Sequence, residues 1–479
     1  MELSKTALTE SLDHFFYPKS IAIIGASNNP TKAGYQVANN MMRLNFTGKV
    51  YFVNPKEDTI FGKKAYDSLL DIEEPVDLIE ITIPAKGVVS IFEQAEQRGD
   101  VKAAIILASG FSETGIPENI ELERQMLEIA HRANIRVFGP NCVGVMNTEN
   151  HLDTTFAPNI TQREGGMSVI SQSGSIGSAI LMFSGDQPVP IGFNKWGHVG
   201  NMSDVTTEEL LCYYRDDPKT KVIAMYMEGM TDARSFFETA KAVTSQKPMI
   251  VLKVGRSEIG SVAAASHTGS LAGSDKIFDG VFKQTGIIRA ETVEELIDTA
   301  KAFSMVEPPH GNRIAILTEA GGPGVISMDE IGSNDEVCMA KFSAETEEKL
   351  RDILPKMALI SHPNGYVDMT AAADGPQHAE ALEVILRDEG VDAVLLLSVP
   401  PTFLPPSEIA KAVNEKMEIA KKLGKPVFAC FLAGNWVREA HIMMESSGVP
   451  TFEMPQRAAR ALVNLIKHSE YLKSLQQEE

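Results

Sequence analysis

Short apolar runs alternate with helical stretches along the whole of this 479-residue chain. Stretches such as GVVSIFEQAEQRG, between the runs, have the apolar spacing of helices. Short apolar strands separated by helices indicate parallel βαβ units. In the first part of the chain, five runs are predicted to be strands: Ser20–Ser27, Lys49–Pro55, Asp77–Pro84, Ala103–Gly110 and Ile135–Asn141.

The pattern then restarts twice. The second series of predicted strands is Gly166–Gly174, Gly192–Asn201, Lys221–Met230 and Lys247–Gly255, and the third is Asn312–Gly322, Asp392–Pro401 and Lys425–Gly434. The Pro- and Gly-rich segment Glu307–Arg313 is typical of a linker before the third series. We therefore predict an α/β protein of three doubly wound domains, at residues 1–145, 146–306 and 307–479. In such sheets, ligands bind where strands end and turns lead into helices.

Composition narrows the range of functions. The formal net charge of -20 disfavours a nucleic-acid partner, because phosphates bind to basic surfaces. The four cysteines form no CxxC pair, which makes a zinc site or a disulfide scaffold improbable and fits a reducing, cytoplasmic location. The N-terminal sequence has no targeting pattern, and no apolar run reaches the roughly 18 residues of a membrane span. We expect no membrane partner.

The turn after the first predicted strand resembles a dinucleotide fingerprint at Gly25, but Ser27 stands at a position where that motif has glycine. The second strand ends at Lys56, where a nicotinamide-binding protein would carry an acidic residue. A cation suits a phosphate better than a ribose diol, so NAD is disfavoured and another phosphorylated nucleotide is favoured. The alternative is a packing glycine and an ordinary surface lysine. The strand end at Pro84 and the turn at Ser109 and Gly110 would extend the same crevice.

Two glycine-rich turns lead into helices farther along the chain. Ser173, Gly174 and Ser175 begin one helix, and Gly321, Gly322 and Gly324 begin the other. Free amide groups and the helix dipole attract anions at a helix N-terminus, and hydroxyl groups add donors. Neither turn is a Walker motif, and serine and glycine are also common at helix starts for structural reasons alone. Both interpretations remain open from these residues.

His267 lies in AAASHTGSLAG, a stretch of small residues without charge. Small neighbours would let a ligand approach the ring closely, so this histidine could carry a phosphoryl group if helix N-termini neutralise the charge. A carboxylate bound to the other ring nitrogen would fix the tautomer, and Glu228, at a predicted strand end, is the candidate. The alternatives are a buried histidine with its hydrogen bonds satisfied and a structural salt bridge at Glu228.

Four segments together resemble the nucleoside-diphosphate-forming acyl-CoA synthetases, the superfamily that includes succinyl-CoA synthetase, with the closest likeness to α subunits of ADP-forming acetate–CoA ligases. They are GPNCVGVMN (Gly139–Asn147), SQSGSIGSA (Ser171–Ala179), YMEG (Tyr226–Gly229) and SHTGSLAG (Ser266–Gly273). The likeness covers nearly the whole chain. It implies a Rossmann-like CoA-binding domain, a ligase domain with the phosphohistidine loop, and a flavodoxin-like third domain.

The resemblance implies an acid–thiol ligase. A short carboxylate, CoA and ATP would be interconverted with acyl-CoA, ADP and phosphate through an acyl phosphate and a phosphohistidine at His267. Glu228 would orient that histidine, and the helices at Ser173–Ser175 and Gly321–Gly324 would stabilise the phosphoryl group. The residues expected to contact CoA are Gly25, Ser27, Lys56, Pro84, Ser109, Gly110 and Asn141. No metal ligand is expected in this chain.

The family's ATP-grasp nucleotide site has no counterpart in the sequence. The resemblance therefore implies a separate ATP-grasp β subunit that carries ATP or ADP with Mg²⁺, in a hetero-oligomer of α2β2 composition. The segment Lys195–Val205 departs from relatives, because Trp196 and His198 stand where a smaller run is usual. That segment lies near the expected acyl site, which puts acetate itself in doubt and admits another short carboxylate.

Two rival functions remain to be compared. A CoA-binding regulatory protein without ligase activity would be expected to lack His267 or Glu228, and both are present. A nicotinamide-dependent dehydrogenase would be expected to carry the acidic residue after the second strand, and this chain has Lys56 there.

Overall fold

The computed structural model describes residues 5–158, 160–262 and 275–478. The chain forms two compact units. The first comprises Met1–Gly185 with Ile191–Arg289, and the second comprises Asp186–Pro190 with Ala290–Glu479. Two sheets belong to the first unit and a third belongs to the second, each combined with helices. The predicted α/β fold class is confirmed.

The first sheet has the strand order β3-β4-β2-β1-β5-β6-β7. Its strands are β1 (Ser20–Ile24), β2 (Lys49–Val53), β3 (Thr59–Ile60), β4 (Lys63–Tyr66), β5 (Leu78–Ile81), β6 (Ala103–Ile106) and β7 (Arg136–Phe138). The pair β3–β4 is antiparallel and the other pairs are parallel. The helices of this part of the chain are α1 (Lys5–Phe16), α2 (Ala33–Arg43), α3 (Val88–Arg98) and α4 (Pro117–Arg132).

Both faces of the first sheet are covered, as the apolar runs require. In β1, Ile21 and Ile23 belong to one buried apolar cluster, whereas Ala22 and Ile24 belong to another. Successive side chains of a strand point to opposite faces. A strand that is apolar at every position therefore needs packing on both sides, which is what a parallel sheet between helical layers provides.

The second sheet has the order β14-β13-β12-β10-β11-β8-β9. Its strands are β8 (Gly144–Asn147), β9 (Leu152–Asp153), β10 (Glu164–Ser171), β11 (Phe193–His198), β12 (Val222–Met227), β13 (Met249–Lys253) and β14 (Ile288–Ala290). The pairs of β10 with β11 and β12, and of β12 with β13, are parallel, whereas β8 pairs antiparallel with both β11 and β9. The helices here are α5 (Gly174–Gly185), α6 (Thr207–Asp216), α7 (Ala233–Thr244) and α8 (Asp275–Thr285).

The first two sheets share one apolar core. Phe138 of β7 and Ile170 of β10 belong to the same buried cluster, and Phe16 of α1 stacks on Tyr213 of α6 with ring centroids 5.3 Å apart. The two sheets therefore form one compact unit. The proposed domain boundary after residue 145 falls inside β8, and the boundary after residue 306 falls just past α9 (Val293–Met305); both boundaries stay predictions.

The third sheet has the order β17-β18-β15-β19-β20-β21, and β16 pairs with β15. Its strands are β15 (Arg313–Thr318), β16 (Cys338–Met339), β17 (Leu359–Ile360), β18 (Tyr366–Asp368), β19 (Ala393–Ser398), β20 (Val427–Phe431) and β21 (Thr451–Phe452). The remaining helices are α10 (Gly321–Gly332), α11 (Ala344–Ile353), α12 (Gly375–Arg387), α13 (Pro406–Asn414), α14 (Met417–Leu423), α15 (Arg438–Ser446) and α16 (Pro455–Glu478). Over the described ranges, no helix combines the length and the apolar character that a bilayer span needs.

Every predicted run overlaps a strand, and each strand ends before its run does because the last residues of the run form a turn. The run Asp77–Pro84, for example, contains β5 at Leu78–Ile81. The sequence analysis missed the antiparallel strands β8 and β9, which extend the second sheet beyond β11. Their residues follow a predicted strand without a helix between them, so the βαβ rule gave no signal for them.

Candidate functional site

A cavity of about 760 Å³ lies in the first unit, within the size range of ligand pockets. Its walls come from residues that follow β6, β7, β10 and β12, so it lies where parallel strands end. Apolar side chains, including Phe156, Met182 and Met202, cover part of it. Six of the predicted site residues line it: Ser109, Asn141, Ser173, Gly174, Ser175 and Glu228.

The N-terminus of α5 forms one wall, and a hydroxyl group shapes the turn that leads into it. The Ser171 hydroxyl donates to the Ser173 carbonyl (2.7 Å) and accepts from the Ser173 amide (3.2 Å). The hydroxyl oxygens of Ser173 and Ser175 lie 3.3 Å apart. The first amides of a helix have no intrahelical acceptor. The wall therefore presents hydroxyl and amide donors and the positive end of the helix dipole, a combination that suits an anion.

Close packing explains the glycine at the start of α5. A Cβ on Gly174 would lie 2.7 Å from Val143 Cγ2 and 3.3 Å from Cε1 of His198. A Cβ on Gly177, one turn later, would lie 2.8 Å from the Trp196 ring. Both glycines thus let the helix approach the neighbouring strands, and Gly174 brings the helix end against the loop that follows β7.

Glu228 follows β12 directly and is 7% exposed. Its backbone amide donates to Gln172 Oε1 (2.7 Å), and so does the amide of Gly229 (3.0 Å). Burial, and secondarily the nearby charge of Glu228, raises the pKa of Tyr226 to about 12. The structure therefore brings this predicted carboxylate into the same cavity as the α5 end, although 53 residues or more separate the two in the sequence.

His267, the predicted phosphoryl carrier, lies outside the described residues, as do Ala263–Ser274 as a whole. On either side of that segment, the described chain comprises β13, which ends at Lys253, and α8, which begins at Asp275. In the sheet, β13 is the immediate neighbour of β12, the strand that carries Glu228 at its end.

Glu113 is a cavity residue that the sequence analysis did not single out. Its carboxylate accepts from the amides of Gly110 (2.5 Å) and Phe111 (3.1 Å) and from Asn201 Nδ2 (2.7 Å). Burial opposes ionisation of this carboxyl, but these hydrogen bonds outweigh it and hold its pKa below the ordinary value. The Gly110 amide, expected to face CoA, is therefore bound by a carboxylate of the protein itself.

Asn141 joins the same network from the loop after β7. Its amide nitrogen Nδ2 donates to Asn201 Oδ1 (3.3 Å), and its backbone amide donates to Ala108 O (2.9 Å). A Cβ on Gly200 would lie 2.2 Å from Pro140 O, so only glycine fits there. Asn201, which follows β11, thus connects Glu113, which follows β6, with Asn141, which follows β7.

The segment Lys195–Val205 divides into two parts, which corrects the expectation that all of it lies near the acyl site. Trp196 is fully buried in the core. The ammonium of Lys195 pairs with Asp217 (2.5 Å) and donates to the Tyr17 hydroxyl (3.0 Å), away from the cavity. Only His198 and the following turn, Gly200–Met202, line the cavity.

The His198 ring is neutral. Burial lowers its pKa to about 4. Nδ1 accepts from the Val143 amide (2.9 Å), which assigns the proton to Nε2. The ring therefore connects the end of β11 with the loop after β7.

Five predicted CoA residues lie at the carboxyl edge of the first sheet and do not line the cavity: Gly25, Ser27, Lys56, Pro84 and Gly110. Gly25 has a φ of +89°, and a Cβ on Gly34 would lie 2.1 Å from Gly25 O, so the turn and α2 are in close contact. Ser27 is buried, whereas Lys56 and Pro84 are exposed. Asn54 connects two of these turns, because it donates to Ala26 O (2.7 Å) and accepts from the Lys56 amide (3.0 Å).

The second glycine-rich turn lies in the second unit, at the start of α10. A Cβ on Gly324 would lie 2.5 Å from the Tyr366 ring, and one on Gly321 would lie 3.3 Å from Asp368 Oδ2, whereas one on Gly322 meets nothing within 4 Å. Gly324 is therefore fixed by packing, and Gly322 faces open space. No group of three or more His, Cys, Asp or Glu side chains suited to a metal ion occurs among the residues that the structure describes.

Two protein families match parts of the chain. Residues 19–148 match the family described as CoA binding domain, and residues 164–303 match the succinyl-CoA ligase like flavodoxin domain. The second match includes the α5 end and Glu228.

Whole-chain relatives are also similar. The α subunit of ADP-forming acetate–CoA ligase II from Pyrococcus furiosus is 42% identical over 96% of this chain and 98% of its own length. The ADP-forming acetate–CoA ligase of Methanocaldococcus jannaschii is 40% identical, over 98% of this chain and 66% of its own. The solved dinucleotide forming acetyl-coenzyme A synthetase 1 of Ca. Korarchaeum cryptofilum, in complex with phosphate and ADP, has a TM-score of 0.89 at 34% identity and covers 98% of both chains.

Proposed function

The chain belongs to the family of ADP-forming acetate–CoA ligases, and on that basis we propose how its residues carry the reaction. The family interconverts a carboxylate, CoA and ATP with acyl-CoA, ADP and phosphate, and CoA and ATP or ADP are accordingly the co-substrates of this enzyme. The observation that carries the proposal is the cavity in which the α5 end and Glu228 meet.

In the direction of ATP formation, a phosphate oxygen attacks the thioester carbonyl of acyl-CoA. The C–S bond breaks, and CoA leaves as the thiol with a proton from phosphate. The acyl phosphate then transfers its phosphoryl group to His267: the N–P bond forms, the P–O bond to the acyl group breaks, and the carboxylate leaves. Phosphohistidine passes the group to ADP. Each step moves a phosphoryl or phosphate anion, which is the charge that the α5 N-terminus stabilises.

Two described groups have defined roles in this scheme. The donors of Ser173–Ser175 hold the phosphoryl oxygens, and Glu228 accepts from the ring nitrogen of His267 that does not react. A carboxylate on the far nitrogen fixes the tautomer and leaves the near nitrogen nucleophilic. Such a carboxylate would need to be held firmly at the cavity wall, and the backbone of Glu228 is anchored by Gln172.

We propose that CoA enters from the carboxyl edge of the first sheet. Gly25, Ser27, Lys56 and Pro84 would contact its phosphorylated part. Ser109 and Asn141, which line the cavity, would guide the thiol end into it, and Gly110, whose amide is bound by Glu113, would shape the turn beside them. The match of residues 19–148 to a CoA binding domain supports this placement. Lys56 is exposed at that edge and able to reach a phosphate.

We also propose a partner chain. The α-subunit name of the Pyrococcus relative implies a second subunit, and this chain spans 66% of the Methanocaldococcus ligase. An ATP-grasp β subunit would supply the nucleotide site with its Mg²⁺, and the α10 end would meet the phosphoryl group there, in an α2β2 assembly. The alternative, a CoA-binding regulatory protein, is not favoured, because the relatives that match nearly the whole chain are ADP-forming ligases.

The experiment is phosphate labelling with ³²P-acetyl phosphate. We expect the wild-type chain to take up one acid-labile, base-stable phosphate, and His267→Ala to take up none while it still binds CoA. We expect Glu228→Gln to label roughly 10²–10⁴-fold more slowly, as for a lost acid–base group. Undiminished labelling of the His267→Ala chain would contradict the proposal.

A further inference from the structure

The side chain of Gln172 holds the loop that carries Glu228. Its Oε1 accepts from the amides of Glu228 (2.7 Å) and Gly229 (3.0 Å), and its Nε2 donates to the Gly229 carbonyl (3.0 Å). Its own backbone amide donates to Tyr226 O (3.1 Å), which continues the ladder between β10 and β12. One glutamine thus satisfies three backbone groups of a loop 56 residues away in the sequence.

His198 supports the cavity wall beside Gln172. Its Nδ1 accepts from the Val143 amide (2.9 Å). Val143 in turn lies closest to the position of a Cβ on Gly174, at the start of α5. Gln172, His198, Val143 and Glu228 all line the cavity.

We propose that Gln172 is a positioning residue for Glu228. This inference rests on the proposed role of Glu228 toward His267. A glutamine amide offers an acceptor and a donor at once, and the loop uses both. A carboxylate at this position could accept from the two amides but could not donate to Gly229 O. A methionine would make none of the three bonds and would leave buried backbone groups unpaired.

Displacement of Glu228 would affect the rate of phosphoryl transfer more than the binding of the phosphoryl donor. In the proposed function, the oxygens of the donor bind at the α5 end, which the Gln172 side chain does not hold. Orientation of a reacting group is sensitive to shifts of about 1 Å, which cost about 10²-fold in rate. Loss of the amide should therefore lower the rate constant of transfer and leave the half-saturating concentration of the donor unchanged.

The test measures the first-order rate constant of histidine labelling by ³²P-acetyl phosphate, over a range of its concentrations. We expect Gln172→Met to label about 10- to 100-fold more slowly at saturation, with a half-saturating concentration and CoA binding within about twofold of wild type. Gln172→Glu, which keeps the acceptor but loses the donor, should label at a rate between those of Gln172→Met and wild type. If Gln172→Met does not fold, Gln172→Glu decides, and a wild-type rate in that variant would overturn the inference.

The matched control is Gln94→Met in the same unit. Gln94 is also half-buried, and its Oε1 accepts from the Ser68 hydroxyl (2.9 Å) and the Leu69 amide (3.2 Å), at a site that does not line the cavity. We expect Gln94→Met to label at the wild-type rate even where its melting temperature falls as far as that of Gln172→Met. Equal labelling rates in the two variants would mean that Gln172 is structural only.

A wild-type chain that takes no label would contradict the proposed function. A labelled wild-type chain whose rate Gln172→Met matches would contradict this inference alone, so the two failures are distinguishable.

Discussion

The start of α5 in the first unit and the start of α10 in the second have the same local backbone arrangement. Ser171 donates to Ser173 O (2.7 Å) and accepts from the Ser173 amide (3.2 Å). Thr318 likewise donates to Ala320 O (2.9 Å) and accepts from the Ala320 amide (3.0 Å). In both units, a hydroxyl at the end of a central strand shapes the turn, and glycine begins the helix.

The residue that follows the hydroxyl-bearing residue differs between the two turns. Gln172 is a neutral amide that holds the loop after the neighbouring strand, β12. Glu319 is a carboxylate with 1% of its side chain exposed; it accepts from the Ser398 hydroxyl (2.6 Å) at the end of β19 and lies 3.5 Å from Nε2 of His378. The same turn can therefore anchor a site loop or an interior network. The hydroxyl and glycines determine the turn, and the middle residue determines what is attached to it.

The largest effect is expected from crowding the start of α5, with the start of α10 as its comparison. Gly174→Ala should slow histidine labelling about 10²–10³-fold, because the new Cβ would lie 2.7 Å from Val143 and shift the donors that face the phosphoryl group. Gly322→Ala should label at the wild-type rate, because its Cβ meets nothing within 4 Å. Equal sensitivity of the two helix ends, measured by ³²P-acetyl phosphate labelling, would remove the distinction between them.

The pH dependence of stability compares a histidine in each unit. Burial lowers the pKa of both His198 and His468 to about 4. The unfolded chain binds these protons below about pH 6.5, whereas the folded chain does so only below about 4. The contribution of each neutral ring to the free energy of unfolding is therefore complete above pH 6.5, and up to about 3 kcal/mol of it is lost as the pH falls to 4.

Asp153, in the first unit, acts in the opposite direction. Burial raises its pKa to about 6, so its contribution to stability is complete below about pH 3.8 and is lost as the pH rises through 6.

Urea unfolding at several pH values tests the two histidines, and it should show that the stability difference between wild type and His198→Asn shrinks as the pH falls from 7 to 4. His468→Asn should behave in the same way, and a pH-independent difference would mean that the pKa of the ring is the same in the folded and unfolded chain.

A smaller effect, on stability alone, is expected at Gly324. Gly324→Ala would place a Cβ 2.5 Å from the buried Tyr366 ring and should lower the free energy of unfolding by about 2 kcal/mol, as overpacking does. Gly322→Ala, two residues away, should lower it little or not at all. Thermal unfolding of the two variants measures this. If both destabilise equally, α10 does not pack on β18 as described.

The smallest effect is expected at Lys56, which lies at neither helix end. Lys56→Gln should weaken CoA binding by about threefold to tenfold, since an exposed charge-assisted contact contributes about 1 kcal/mol. Labelling by acetyl phosphate should be unchanged, because that step needs no CoA. Calorimetric titration with CoA measures the first quantity; unchanged affinity would remove Lys56 from the CoA site.

The strands and the two glycine-rich turns could be predicted well from the sequence, because apolar runs and glycines are local signals. Gly25 and Gly174 are examples: each follows a predicted strand, and a close neighbour occupies the place of its Cβ. The antiparallel strand β8 was missed, because no helix separates it from β7 and the βαβ pattern therefore gives no signal for it.

The polar network of the cavity could not be derived in the same way. Gln172 stands inside a motif that was recognised and Glu113 follows a predicted turn, but their partners lie far away: the amides of Glu228 and Gly229 are 56–57 residues from Gln172, and Asn201 is 88 residues from Glu113. Lys195 is the reverse case: it begins a divergent segment that was expected near the acyl site, whereas its partner Asp217 holds it in the interior. Nothing local to these residues distinguishes a side chain that faces the cavity from one that faces the core.

The most direct test of the account is to locate the phosphate by tandem mass spectrometry, under conditions that preserve phosphohistidine, after the wild-type chain has reacted with acetyl phosphate. We expect a single phosphorylated residue, His267, and loss of its phosphate when ADP and the partner subunit are added. Phosphate on another residue, or on His267 without transfer to ADP, would contradict the account.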